Sequence, residues 1–288
     1  MAVSQIHFRS ISLPSRLHPI NSTGFEAELQ KLKSCVSKAV PVTSEGIQSG
    51  LLGLAELYNS VQELAQSPAT QQSLVLQHQQ DGKSVEVALE ASVELLDSCS
   101  TIRELVQMMR ENVQALQSAF RRKGLDSSIQ NDINSYFCFR KKMNKCIAKN
   151  LKKLKNLEIK NGSNLSLDAD QSFIRVLREV SGLNAAVLKS VLMFLSWPTA
   201  KNGGWNLVSR LMLNKSVASV KEHSVVTEVG CVDLALNSNN SKVVDVQTVQ
   251  RSLQNLDACV EGIEIGLERL FRQLLQSRVT LLNILTDH

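Results

Sequence analysis

Along the last part of the chain, apolar residues recur at alternating steps of three and four. The series runs Val246, Val249, Leu253, Leu256, Val260, Ile263, Leu267, Leu270, Leu274, Ser277, Leu281 and Ile284, and Ser277 is its one polar member. A repeat averaging 3.5 residues puts all these side chains on one stripe of an α-helix, and a stripe of that length cannot stay in water. The cover is either a helix of the same chain or a second copy. The break at Ser277 tells against a long free coiled coil, so a bundle helix within one chain is the preferred reading. Leu253, Leu256, Val260, Ile263, Leu267, Leu270 and Leu274 form the uninterrupted part of this coiled-coil-like seam, inside a C-terminal helix expected over 243–288.

The same spacing recurs upstream. Ile47, Leu51, Leu54, Tyr58, Val61 and Leu64 predict a helix that starts at Ser44 and ends near Pro68. A shorter helix is expected over 25–40 and another over 69–80, broken at Asp81-Gly82. The longest apolar series is Val85, Leu89, Val93, Leu96, Cys99, Ile102, Val106, Met109, Val113, Leu116 and Phe120. Its other flank carries Glu86, Glu90, Glu94, Asp97, Glu104 and Glu111 and is suited to a basic neighbour. Met143, Ile147, Leu151 and Leu154 predict a helix over 127–157, and 168–196 reads as a buried helix stopped by Pro198. With aromatics at 4% and 13 glycines in 288 residues, a β-sandwich or barrel is disfavoured.

The expected fold is therefore all-α, a bundle of long antiparallel helices. Its parts are a flexible arm over 1–24, a bundle over 25–213, a linker or loop over 214–242 and the C-terminal helix packed on the bundle or on a partner. The arm holds Pro14, Pro19 and Gly24 and has no acid. The linker ends in Asn237-Ser-Asn-Asn-Ser.

No secretory signal is legible at the N-terminus. The greasiest stretch, 180–197, contains Asn184 and Lys189, whereas a bilayer span needs about 20 mostly apolar residues. Six cysteines never form a C-x-x-C pair and five histidines are scattered, so neither a metal nor a cofactor is expected. Most of the thiols read as small buried hydrophobes, and His78 and His223 as residues of polar surface loops. There is no P-loop, G-x-G-x-x-G, G-x-S-x-G or H-E-x-x-H motif, and the chain is read as a non-enzyme.

Charge is informative once divided. The whole chain is +5, but the stretch 134–160 holds nine basic residues against Glu158 and is +8, which leaves the remainder at −3. Arg140, Lys141, Lys142, Lys145, Lys149, Lys152 and Lys153 form the candidate basic surface. Such a helix flank can meet anionic lipid, an acidic protein groove or nucleic acid, the last being the weakest because base-stacking aromatics are few. The plainer reading is a solvated flank, or one neutralised by the acidic 85–120 helix. A second candidate is Arg9-Ser-Ile-Ser-Leu-Pro14, whose Arg9, Ser12 and Pro14 fit the phosphoserine pattern read by 14-3-3 proteins.

The stretch His7-Phe-Arg-Ser-Ile-Ser-Leu-Pro-Ser-Arg-Leu-His-Pro19 resembles the N-terminal signature of a plant-specific family grouped with the BYPASS-type proteins. Leu51-Leu-Gly-Leu-Ala-Glu-Leu-Tyr58, Glu94-Leu-Leu-Asp-Ser-Cys99, Phe120-Arg-Arg-Lys123 and Arg140-Lys-Lys142 follow in the same order. The resemblance implies a helical protein without catalytic residues, linked to root and shoot development. It also bears on compartment: an acid-free arm with only Arg9 and Arg16 is compatible with a plastid transit peptide, but the matching signature favours a retained arm and the cytosol. Together these readings give a regulatory or scaffold protein acting through helix-mediated contacts, with a peripheral membrane protein using 134–160 as the alternative.

Overall fold

The computed structural model describes residues 22–38, 43–80, 82–123, 128–163, 173–196, 227–237 and 246–286. Among them there are eight helices and no strand. They are α1 (Ser22–Lys38), α2 (Ser44–Gln66), α3 (Pro68–Gln80), α4 (Gly82–Lys123), α5 (Ile129–Ser163), α6 (Phe173–Leu195), α7 (Glu228–Asn237) and α8 (Val246–Thr286).

Local chemistry sets several of these limits. Thr43 is extended and its hydroxyl accepts from the Gly46 amide at 3.1 Å, capping α2 beside Glu45 of the first turn. At the other end Ser67 is extended, as a residue before proline prefers, and Pro68 opens α3 where no amide is needed.

Helices α2, α4, α6 and α8 build the centre, with α8 packed chiefly on α4 and α2. Helix α5 lies on α4 and α6, α1 on α2 and α6, and α7 on α8. Helices α4 and α8 are antiparallel, since Arg103 meets Glu268 and Gln117 meets the Leu253 carbonyl. Helices α2 and α8 run the same way: Gln62 pairs with Thr280, and Gln273 donates to the Ala55 carbonyl. The cover of the C-terminal seam is therefore internal. Leu253, Leu256, Val260, Ile263, Leu267, Leu270 and Leu274 are all buried within this one chain, against Leu51, Leu54, Ile102, Val106 and Met109 among others. Full burial is worth about 1.5–3 kcal/mol for each such side chain, which is what holds α8 to the bundle.

Three expectations change. Part of the 214–242 linker is helical: α7 presents Val229, Val232 and Leu236 to the core, a pattern too short for periodicity to register. The last residues of the 1–24 arm belong to α1, which begins at Ser22. On α4 the seam slips by about one residue near its start. Ala91 and Leu95 are buried while Val93 is 39% exposed, and Leu89 and Leu96 are only partly buried against the core.

Two glycines missed by the sequence reading set the spacing of α2 and α8. A Cβ on Gly266 would stand 2.8 Å from Leu51 Cδ1, and one on Gly262 would stand 2.7 Å from the end of Gln48. With no Cβ at either position, α8 can approach α2 closely along this stretch.

Candidate functional site on helix α5

The buried side of α5 carries Ile129, Ile133, Tyr136, Arg140, Met143, Ile147, Leu151, Leu154 and Leu157 in one continuous period. Arg140 thus belongs to the core-facing stripe, and the expectation that it forms part of a basic surface is corrected. Its side chain is 0% exposed. Placed four residues after Tyr136 and three before Met143, it points inward with them.

A buried guanidinium persists only if its donors are met. Nε lies 3.2 and 3.3 Å from the two carboxylate oxygens of Asp233, and Nη2 lies 2.8 Å from Oδ2. Nη1 donates to the Leu195 carbonyl at 2.6 Å and Nη2 to that of Ser196 at 3.3 Å. The cation therefore also satisfies carbonyls at the C-terminus of α6, where positive charge is favoured. Tyr136 donates its hydroxyl to Asp233 Oδ1 at 3.0 Å, and burial beside that carboxylate pushes the phenol well above its ordinary pKa. Three helices, α5, α6 and α7, are locked at this point. The signal for it was faint: a charge on an apolar period in α5, and an acid among the apolar residues of α7.

The remaining residues of the candidate basic surface lie on the outer side of α5. Lys141, Lys142, Lys145, Lys149, Lys152 and Lys153 are all exposed. At 100° per residue they span an arc of about 120°, and at 1.5 Å per residue a length of about 18 Å. Among the described residues, none of the six has a carboxylate within ion-pair distance. Among the described residues of α5, the acidic flank of α4 reaches Lys160, which meets Glu94 at 2.7 Å and Glu90 at 3.6 Å and whose pKa rises chiefly through Glu94. Glu158 is engaged by Lys189 of α6. Phe137 and Phe139 pack against the core beside Tyr136.

Other candidates fare differently. Arg9, Ser12, Pro14 and His223 lie outside the described residues. His78 is exposed on helix α3 and not in a loop. Of the cysteines described, only Cys99 is buried, with its thiol pushed up to about 12 by burial; Cys138, Cys146 and Cys231 are exposed, because they fall off the apolar stripes of their helices. Arg110 bridges Asp257, Glu261 and Glu264 across α4 and α8, and Arg103 pairs with Glu268 while lying 4.7 Å from the Phe271 ring centre. A cavity of about 50 Å³ lies between Tyr58, Ala91, Leu95, Ser181 and Ser277, room for a water or two. Among the described residues no group of three His, Cys, Asp or Glu is placed to hold a metal, and no helix is long and apolar enough to cross a membrane.

A family model described as Protein BPS1 matches residues 50–284, which takes in α5, Asp233 and the whole α8 seam. The stretch from His7 to Pro19 falls outside the matched span. Comparison with curated proteins and with solved structures gives no match.

Proposed function

The chain belongs to the BPS1 family, and from that premise we propose that it is a non-enzymatic regulatory or scaffold protein in plant root and shoot development, acting through the sides of its helices. The developmental setting rests on the resemblance to the BYPASS-type proteins. The mode of action rests on one observation: six lysines stand exposed on α5 without an acidic partner among the described residues. The heptad seam, by contrast, is used up inside the bundle and has no face left to offer. The strongest buried charges, Arg140 and Asp233, satisfy each other. What supports the reading is a surface feature: among the described residues the α5 lysines form a cluster of like charge with no carboxylate in ion-pair range.

Genetic complementation tests this. In a line lacking the gene, the wild-type chain restores root and shoot growth. A variant with Lys141, Lys145, Lys149 and Lys152 changed to Gln, expressed to the same level, fails to do so. Full rescue by that variant would remove the lysine face from the mechanism.

A further inference from the structure

We infer that the lysine face of α5 docks on the anionic headgroups of a phospholipid bilayer, with the helix lying along the membrane surface. The inference rests on the surface-acting reading above and names the partner of that surface.

Three observations choose the bilayer over other polyanions. First, the apolar side of α5, from Ile133 through Leu157, is buried in the bundle, so no protein groove can close around the helix; only one flank is on offer. Second, nucleic acid recognition draws on guanidinium forks and stacking rings, and α5 has turned both inward. Arg140, the one arginine of the stretch, is sealed against Asp233, Tyr136 is buried, and Phe137 and Phe139 pack on the core. What is left outside is a row of compact ammonium charges, suited to any surface of diffuse negative charge. Third, the same arc carries Asn131, Asn134, Ser135, Cys138 and Asn156 and no carboxylate, so nothing on it repels a phosphate layer.

The mode of attachment also follows. Ile159 is the one exposed aliphatic side chain at the margin of this arc, so there is little to insert between acyl chains. Attachment is electrostatic, peripheral and reversible. Of the carboxylates near α5, Glu158 is paired with Lys189, and Glu90 and Glu94 with Lys160. Each lysine at an anionic leaflet is worth about fivefold in partitioning, and salt screens it.

Vesicle flotation with the full chain tests the inference. Phosphatidylcholine vesicles containing about 30% phosphatidylserine should carry the protein at about 50 mM salt and release it at about 500 mM, and pure phosphatidylcholine vesicles should carry none. The combined Lys141→Gln, Lys145→Gln, Lys149→Gln and Lys152→Gln variant should lose several-hundred-fold, about fivefold for each charge removed. Lys31→Gln with Lys83→Gln, two exposed lysines off the face, should stay within about twofold. Circular dichroism should give the same helicity for all three proteins. The inference is overturned by no binding at low salt, by equal binding to neutral vesicles, by undiminished binding of the fourfold variant, or by tighter binding to a short random DNA duplex than to the vesicles. If flotation fails while the fourfold variant still fails to complement, the surface-acting reading stands and the bilayer is excluded as its partner.

Discussion

Asp233 holds Arg140 by both carboxylate oxygens; the two residues lie 93 positions apart in the chain, and their side chains are 2% and 0% exposed. Removing one partner would strand the other charge in the core.

Arg140→Met and Asp233→Leu, made singly, should each cost about 3–5 kcal/mol in urea unfolding. Combined, they should cost clearly less than the two together, because neither charge is then orphaned. Strictly additive losses would mean that the pair is not coupled as the geometry requires.

The two glycines of α8 should respond differently to alanine. At Gly266 the added methyl meets Leu51 at its Cβ (3.1 Å) as well as at Cδ1, so the helix itself must shift, at a cost of about 1–3 kcal/mol. At Gly262 the obstacle is the end of the Gln48 side chain, which can swing away, and the gain in helix propensity of about 1 kcal/mol should leave the protein unchanged or slightly firmer. Thermal melts of the two variants decide the matter.

Ser277 lines the small cavity beside Tyr58, Ala91 and Leu95. Ser277→Val restores the apolar heptad and fills space, and should raise stability by about 0.5–2 kcal/mol. A lower melting temperature would mean that the hydroxyl or a bound water is needed there.

Alkali should unfold this protein. The Cys99 thiol is raised from 9.0 to about 12, chiefly by burial, and the Tyr58 and Tyr136 phenols are raised as well, again chiefly by burial. Raised acids contribute stability that is intact below their unfolded pKa and is lost as pH climbs toward the folded value. Unfolding free energy is expected to fall from about pH 9 upward, and Cys99→Ala should flatten the first part of that fall. At neutral pH a thiol reagent should label Cys138, Cys146 and Cys231 in the native protein and leave Cys99 untouched until it unfolds, which peptide mass spectrometry reads directly.

Much of this was legible beforehand, for an identifiable reason. The seam from Leu253 to Leu274 is written as a local period, and any residue on it must leave water whatever covers it. The same holds for Met143, Ile147, Leu151 and Leu154, and it leaves Lys141, Lys142, Lys145, Lys149, Lys152 and Lys153 outside by default. Arg140 reads as a surface residue because a charge faces solvent by default unless its counter-charge is known. Asp233 sits in a ten-residue helix that spacing alone did not reveal.

Sequence alone thus determined that long amphipathic helices form, which stripe of each must be buried, and that one stretch is strongly basic, since helical periodicity is a property of neighbours along the chain. Only the tertiary structure decided that α4 and α2 cover α8, that glycines bring α2 and α8 together, and that Arg140 turns inward. Those outcomes depend on which surfaces meet across the fold, and pairing between distant segments leaves no periodic trace in either of them.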